Sequence, residues 1–322
     1  MKAVALISGG LDSLLAAKLI QGQGVEVLAL HFQMPFCASN VKEAVAALGL
    51  SLKEGSIDEE FIGLILKPKH GRGSHMNPCI DCKILMLRRA KEMMASLGAD
   101  FIITGEVLGQ RPMSQHRQSL EVIERESGLE GLLLRPLSAR LLAETLPEKK
   151  GWVKREELLA FNGRARKPQI DLADKLGIRN YRQPAGGCLL TDAAFSGRIK
   201  DLIKYNELTL DNIELLKIGR HFRLSQTAKL VVGRNEIENG RLIRLKQKDD
   251  LIFMPEILAG PTALGRGTFD NDLIELSCSI VSRYCDLNGE AAADIICENV
   301  SCGQKVYSIA AAREEQLAAL RR

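Results

Sequence analysis

The sequence predicts an α/β fold, in which a parallel sheet flanked by helices is followed by a smaller α+β domain. In the first half, short β-prone runs alternate with segments whose apolar residues recur at helical spacing. From near Lys204 the pattern changes to short apolar runs separated by glycines. The 322 residues also exceed the usual length of one domain. We therefore expect a first domain over 1–195, a linker over 196–215 and a second domain over 216–322.

Strands and helices alternate along the first domain, which predicts parallel strands joined by helices. The expected order is a strand over 2–7, a helix from residue 11, a strand over 25–32, a helix capped by Ser39 or Asn40, a strand over 51–57, a helix over 79–97, and strands over 99–106 and 132–137. Residues 147–182 read as helical with short loops, and 184–188 as a turn. In the second domain, 228–233 and 241–246 read as strands, and the tail reads as a helix.

Composition excludes several classes of protein. Hydrophobic residues make up 46% of the chain and charged residues 26%, which is typical of globular proteins. No stretch approaches the roughly 18 apolar residues that a membrane span needs, so we expect a cytoplasmic protein. Residues 217–248 hold nine Lys or Arg against two acidic residues. This basic stretch could contact phosphates, although a solvated face is the commoner explanation of such a run.

A glycine turn joins the first strand to its helix, with the sequence Ser8-Gly9-Gly10-Leu11-Asp12-Ser13. The free N–H groups and the positive end of the helix suit an anion, and the two serines add hydroxyl donors. Because no lysine follows the glycines, this is not the phosphate loop GxxxxGK[ST] of nucleotide hydrolases. A capped turn without a ligand is the alternative interpretation.

Adenine is expected at the carboxyl edge of the sheet, where nucleotides bind in open α/β folds. The second strand ends there at His31 and Phe32, and a later strand ends near Gly105. His31 could equally be a core or strand-end histidine whose hydrogen bonds are satisfied.

Eight cysteines are too few for a disulfide scaffold in a chain this long. Cys79 and Cys82 form a CxxC at the start of a helix, whose dipole favours the thiolate, and Cys188 follows two glycines. These three soft ligands suit an iron–sulfur cluster with one iron left open. A zinc site completed by Cys37 or a histidine, a thiol pair that carries persulfide, and inert packing remain alternatives. Buried thiols are the default for Cys278, Cys285, Cys297 and Cys302.

Together with this loop and NPCIDCK, the segments TGEVLGQRPMSQ (104–115) and RPLSA (135–139) resemble a known family. Residues 1 to about 195 are similar to the catalytic domain of the tRNA 4-thiouridine synthetases, which are PP-loop ATP pyrophosphatases with an adenine nucleotide alpha-hydrolase-like fold. The resemblance implies an ATP-dependent tRNA sulfurtransferase. In such an enzyme a uridine carbonyl oxygen attacks the α-phosphate, pyrophosphate leaves, and sulfur then displaces AMP from the base.

The resemblance also implies roles for particular residues. ATP is expected on Ser8, Gly9, Gly10, Leu11, Asp12 and Ser13, with Gly105 and Gln110 lining the adenylation site. Asp12 would organise Mg²⁺ or the α-phosphate. Catalysis would further use Cys79, Cys82 and Cys188, which in some members hold a [4Fe-4S] cluster and in others carry a persulfide. The sulfur donor would be sulfide or a persulfide carrier.

The second domain resembles the NFACT RNA-binding domain in LVVGRNEIENGRLIRL (230–245) and the following DDLIFMPEILAGPTALGRG, although Met254-Pro255 replaces the usual histidine. No THUMP region precedes the PP-loop in this sequence, so we expect the second domain to hold the tRNA. Because aromatic residues make up only 4% of the chain, phosphate and shape contacts are favoured over base stacking. The RNA-binding candidates are Arg220, Arg223, Lys229, Arg234, Arg241 and Arg244.

Two other functions fit the same motifs. One is a PP-loop enzyme that adenylates a small metabolite or the carboxylate of a carrier protein. The other is an RNA-binding quality-control protein whose ATP site is vestigial, although the intact Asp12 and Ser13 argue against decay.

Overall fold

Two units make up the computed structural model of the chain, Met1–Asp192 and Ala193–Arg322. The structure describes residues 1–37, 41–181, 187–299 and 303–322. Each unit contains one β-sheet and its own helices.

The first unit alternates strands and helices. Its strands are β1 (Lys2–Leu6), β2 (Glu26–Gln33), β3 (Ser51–Ser56), β4 (Phe101–Thr104) and β5 (Leu133–Leu134). Its helices are α1 (Leu11–Gly22), α2 (Lys42–Ala47), α3 (Asp58–Leu66), α4 (Cys79–Leu97), α5 (Arg117–Ser127), α6 (Leu146–Lys149) and α7 (Lys167–Lys175). Short 3-10 helices lie at Ala139–Leu141, Arg155–Glu157 and Leu189–Thr191.

All five strands of the first sheet are parallel, in the order β3-β2-β1-β4-β5. The direction of this order reverses at β1, since β2 and β3 lie on one side of β1 in the sheet and β4 and β5 on the other. In open α/β sheets, ligands bind outside the carboxyl ends of the strands at such a point. The core beneath this edge includes Leu14, Leu15, Ala29 and Phe101, all fully buried.

The second unit contains an antiparallel sheet in the order β11-β10-β8-β9-β7-β6. Its strands are β6 (Arg220–Arg223), β7 (Ala228–Val232), β8 (Leu251–Pro255), β9 (Ala263–Gly267), β10 (Ala293–Asn299) and β11 (Gly303–Ile309). Its helices are α8 (Ala193–Lys204), α9 (Leu210–Leu216), α10 (Glu236–Leu245), α11 (Asn271–Ser282) and α12 (Glu314–Leu320). Leu230 and Val232 face one apolar cluster and Val231 the other, as the alternation of a strand requires.

The predicted fold class is confirmed, because a parallel sheet with flanking helices precedes an α+β unit. The strand expected over 241–246 is wrong, since these residues continue α10. The Asn235 side chain accepts a hydrogen bond from the Glu238 N–H and caps that helix, and in 241–246 Leu242 alone is fully buried. The apolar pattern of RLIRLK therefore reflected one buried helix face.

The segment expected as a linker, 196–215, instead lies in α8 and α9 and in the turn between them. Phe195, Ile199 and Leu202 are buried at helical spacing, which explains why the second unit begins at Ala193. The expected caps Ser39 and Asn40 and most of the turn at 184–188 lie outside the described residues.

No helix in the described parts of the chain combines the length and the apolar character that crossing a bilayer requires.

Candidate functional site

The glycine turn after β1 is closed by hydrogen bonds between its two serines and its backbone. The Ser13 hydroxyl donates to the Gly10 carbonyl at 2.8 Å, and Ser13 Oγ accepts from the Ser8 N–H at 3.3 Å. Gly9 has φ of +75°, a conformation that residues with a side chain rarely adopt. Because α1 begins at Leu11, the N–H groups of its first turn have no partner within the helix. The turn is therefore shaped to bind an anion.

The end of β4 lies directly against this turn. A Cβ at Gly105 would lie 2.4 Å from both the Asp12 carbonyl carbon and the Ser13 nitrogen, so only glycine fits there. Gln110, five residues later, donates from Nε2 to Asp12 Oδ2 at 2.8 Å. The structure thus brings Gly105 and Gln110 to Asp12 and Ser13, predicted site residues that lie more than 90 positions earlier in the sequence.

The two carboxylate oxygens of Asp12 differ in their hydrogen bonding. Its Oδ1 is buried and has no hydrogen-bond partner among the described residues. An unpartnered carboxylate oxygen beside free N–H groups fits a divalent cation that accompanies phosphates. Asp12 is therefore the residue that would hold Mg²⁺.

His31 and Phe32 lie at the carboxyl end of β2, as expected, but both are buried. His31 Nδ1 lies 2.8 Å from the Ile7 carbonyl oxygen, and the Phe32 ring packs against Gly55 of β3. Their contribution to an adenine site stays a prediction.

A buried carboxylate follows Gly105. Glu106 is 1% exposed and accepts hydrogen bonds from Arg135 Nε and Thr104 Oγ1, both at 3.1 Å. Lys83 Nζ lies 3.9 Å from Glu106 Oε1. Burial opposes ionisation of this carboxyl, but Lys83 and Arg135 outweigh it and hold the pKa of Glu106 below its ordinary value.

The start of α4, which carries the CxxC, is fixed by two buried polar side chains. Asp81 accepts the N–H groups of Lys69 and His70, each at 3.1 Å. Asn77 donates from Nδ2 to Cys79 Sγ at 3.1 Å. These contacts hold the preceding loop against the first turn of α4.

Each of the three predicted cluster ligands has another partner. Cys79 accepts from Asn77, and Cys82 donates to Met34 Sδ at 3.8 Å. Cys188 hydrogen-bonds to Cys37, because the Leu189 N–H donates to the Phe36 carbonyl at 3.0 Å and brings the two segments together. The structure therefore adds Cys37 to the thiols of this site.

The thiols are not activated in the way that their position at a helix start suggests. Burial raises the pKa of the Cys82 thiol to about 12, which overrides the helix dipole. The hydrogen bond to Cys37, together with burial, raises the pKa of the Cys188 thiol. Both thiols therefore keep their protons at neutral pH.

No group of three or more His, Cys, Asp or Glu within residues 1–37, 41–181, 187–299 and 303–322 is arranged to hold a metal ion. The structure nevertheless brings the three predicted ligands together, since Cys79 and Cys188 both lie close enough for their charges to raise the pKa of Cys82, and the iron–sulfur cluster stays a prediction.

The RNA-binding candidates of the second unit fall into two groups. Arg223 and Lys229 are buried and share Glu207, and Arg223 also pairs with Asp201. They serve the core of the unit and are not part of an exposed basic surface. Four candidates retain exposed area, namely Arg220, Arg234, Arg241 and Arg244.

The sequence did not predict a role for Lys83 or Glu106, although both lie inside the motifs that mark the site. Lys83 directly follows the CxxC in NPCIDCK, and Glu106 is the acid of TGEVLGQ. A charged residue of each sign beside cysteines and a phosphate loop was an available signal. Their pairing depends on the fold, because Glu106, which follows β4, lies 23 positions after Lys83.

Both resemblances are confirmed by comparison with protein families. Residues 1–140 match the family model described as Thiamine biosynthesis protein (ThiI), and residues 219–321 match the one described as NFACT protein RNA binding domain. The first match contains the glycine turn, the CxxC, Glu106 and Gln110, and the second contains β6 to α12.

Individual relatives carry related names. A probable tRNA sulfurtransferase of Thermococcus kodakarensis is 30% identical over 145 residues, which are 42% of this chain and 36% of that protein. A tRNA-specific 2-thiouridylase MnmA of Marinobacter nauticus is 24% identical and covers 67% of this chain and 57% of its own. The crystal structure of a 4-thiouridine synthetase–RNA complex with bound ATP has 22% identity and a TM-score of 0.35, covering 55% of this chain and 51% of that one. The chain spans about a third of the length of the first curated relatives.

The contact between Gly105 and the turn predicts the effect of adding one methyl group. Gly105→Ala should weaken ATP binding by more than about tenfold, because its Cβ would push β4 away from the N–H groups that face the anion. Equilibrium binding of ATP measures this effect. Gly63→Ala in α3 is the matched control, since a Cβ there meets nothing within 4 Å. Equal affinities for the two variants would contradict the assignment of the turn.

The contact between Cys37 and Cys188 predicts which disulfide forms first. Mild oxidation of the protein with diamide should join Cys37 to Cys188, because both thiols already touch. Peptide mass mapping without reductant identifies the bond, and the buried Cys278 and Cys297 should stay reduced. A Cys79–Cys82 bond in place of the Cys37–Cys188 bond would contradict this arrangement.

Proposed function

We propose that this chain is an ATP-dependent tRNA sulfurtransferase, which adenylates a uridine carbonyl oxygen and replaces that oxygen with sulfur. One observation carries the proposal, namely that the phosphate-type turn and the cysteine-bearing start of α4 meet at the same edge of the sheet. Gly105 packs on the turn, and the next residue, Glu106, lies 3.9 Å from Lys83, which follows Cys82. The names of the relatives, which cover part of this chain, support the proposal.

The adenylation step needs groups that bind phosphates and balance charge. The N–H groups at the start of α1 and the hydroxyl of Ser8 would bind the pyrophosphate portion of ATP, while the Ser13 hydroxyl holds the turn through its bond to the Gly10 carbonyl. Gln110 fixes one oxygen of Asp12 and leaves Oδ1 for Mg²⁺. Mg²⁺, when bound, supplies positive charge to the phosphates. The uridine oxygen then attacks the α-phosphorus, and pyrophosphate leaves.

We propose that the second step takes place beside the thiols at the start of α4. A sulfur atom attacks the activated carbon of the base, the bond from that carbon to the AMP oxygen breaks, and AMP leaves. We propose that the attacking sulfur is sulfide supplied from outside. A persulfide carrier would deliver the same sulfur only if a second thiol, such as one of Cys79, Cys82 or Cys188, then attacks the S–S bond, which releases the thiolated base and leaves that thiol in a disulfide with the carrier. The [4Fe-4S] cluster on Cys79, Cys82 and Cys188 stays a prediction.

We propose that the second unit binds the tRNA backbone on the side of α10. Arg241 and Arg244 lie one helical turn apart on that helix, and Arg234 precedes it with its guanidinium paired to Glu238. Positive charge on one helix face is the usual footprint of phosphate contact. A tRNA substrate also places the proposed reaction in the cytoplasm.

The intact geometry of the turn favours an active enzyme over a vestigial ATP site. A site without function has no need for glycine at Gly105, for the left-handed backbone of Gly9, or for an unpartnered oxygen on Asp12.

Removing one charge from the turn should stop the first step. Asp12→Asn should slow tRNA-stimulated release of pyrophosphate by about 100-fold or more, since one preorganised electrostatic group contributes on that scale. Digested tRNA from cells that contain only this variant should lack one thionucleoside. Asp249→Asn, an exposed change in the second unit, is the control. Pyrophosphate release that depends on a small acid or amine and ignores tRNA would contradict the proposed substrate.

Exposed and buried arginines of the second unit should behave differently toward tRNA. The double variant Arg241→Ala/Arg244→Ala should lower the slope of log affinity against log salt by about 1.4 to 1.8, because each lost phosphate contact removes about 0.7 to 0.9. Filter binding over a range of salt concentrations measures the slope. Lys200→Ala, an exposed change on α8, should leave it unchanged. Equal slopes for the wild-type chain and the double variant would remove α10 from the RNA surface.

A further inference from the structure

Glu106 is a buried carboxylate whose second oxygen is not hydrogen-bonded. Oε2 accepts hydrogen bonds from Arg135 and Thr104, whereas Oε1 has no hydrogen-bond partner among the described residues. A buried charge is costly unless neighbouring charges compensate for it. The negative charge at Oε1 is therefore balanced by a nearby positive charge that forms no hydrogen bond with it.

Arg135 is not the cation that would bind a ligand, because all three nitrogens of its guanidinium already donate hydrogen bonds within the protein. Nε donates to Glu106, Nη1 donates to Glu124 at 2.7 Å, and Nη2 donates to the Leu120 carbonyl at 3.1 Å. The side chain is 4% exposed. Arg135 is thus a structural cation.

Lys83 is the second cation beside Glu106, and its contact with that carboxylate differs from the contact made by Arg135. Its Nζ lies 3.9 Å from Glu106 Oε1, which is beyond hydrogen-bond distance, and the described residues offer it no other partner. The side chain is 29% exposed, and an ammonium has three N–H donors. Glu106 therefore keeps Lys83 in place while its donors stay available to a ligand.

The position of Lys83 connects the two halves of the site. Cys82 precedes it in the first turns of α4, and its charge lowers the cost of ionising the Cys82 thiol. On its other side, Glu106 is joined to Gly105, which touches the backbone of Asp12 and Ser13. A donor at this place lies between the sulfur site and the phosphate turn.

We infer that Lys83 is a catalytic residue whose ammonium binds the α-phosphate of the nucleotide, and that Glu106 is its positioning residue. This inference rests on the proposed function. The α-phosphate takes part in both steps, since it is attacked by the uridine oxygen first and leaves within AMP afterwards. A lysine hydrogen-bonded to its non-bridging oxygens stabilises the charge that develops on them each time.

A purely structural Lys83 would only neutralise Glu106, and the two roles predict different results. Lys83→Met removes the charge but keeps most of the length of the side chain. The double variant Lys83→Met/Glu106→Gln removes both charges and leaves no unpaired carboxylate. If Lys83 serves only Glu106, the double variant should regain activity. If Lys83 binds phosphate, the double variant should stay slow.

The test measures tRNA-dependent pyrophosphate release without a sulfur donor, and AMP release after sulfide is added. We expect both rates to fall by about 100-fold in Lys83→Met and in the double variant, which is the usual effect of losing one such donor. Lys83→Arg should recover activity to within about tenfold of the wild-type chain, because it restores the charge. Lys91→Met, an exposed change eight residues along α4, should be unaffected.

Three results separate the possible failures. Full activity of Lys83→Met, or recovery of activity in the double variant, overturns the inference and leaves the proposed function intact. A wild-type chain that releases no pyrophosphate with tRNA contradicts the proposed function itself, and the inference fails with it. The midpoints of thermal unfolding of all variants complete the test. Losses of activity that parallel a lower midpoint, and that Lys83→Arg does not restore, indicate a structural role.

Discussion

The close approach of the end of β4 to the turn after β1 is the constraint on which the site depends. Gly105 leaves no room for a side chain between these two backbone segments. They meet because β1 and β4 are neighbouring parallel strands at the place where the strand order of the sheet reverses. The segment after Gly105 then brings Gln110 to Asp12 and Glu106 to Lys83. Phosphate-binding groups, a buried acid and the cysteine helix are all positioned by this one contact.

Electrostatics explains why so polar an arrangement is stable. Glu106 is buried but lies between two cations, and Arg135 is in turn shared with Glu124. Removing one partner of a buried ion pair typically costs about 3 to 5 kcal/mol, whereas the complete network can be close to neutral. A site built in this way has a fixed geometry before a substrate arrives, which is what transition-state stabilisation requires.

Much of this could be predicted from the sequence, because its signals are local. The turn, the helix over 79–97 and the alternation of strands depend on short motifs and on hydrophobic periodicity. Pairings between distant segments could not be predicted, and these decide the chemistry. The contact of Cys37 with Cys188 needs the loop after β2 to meet the segment at 188–190. Likewise, Arg223 and Lys229 look like RNA ligands in the sequence but are buried beside Glu207.

The path of one oxygen atom distinguishes adenylation of the base from other routes to a thiolated tRNA. If a uridine carbonyl oxygen attacks ATP and is later replaced by sulfur, tRNA that carries ¹⁸O in its uridine carbonyls must transfer that atom to AMP. Mass spectrometry of the AMP formed during one round of thiolation measures the label. Adenylation of the uridine oxygen predicts one ¹⁸O in the AMP released for every sulfur incorporated. AMP without the label, in a reaction that still forms thiolated tRNA, would contradict activation of the base by adenylation.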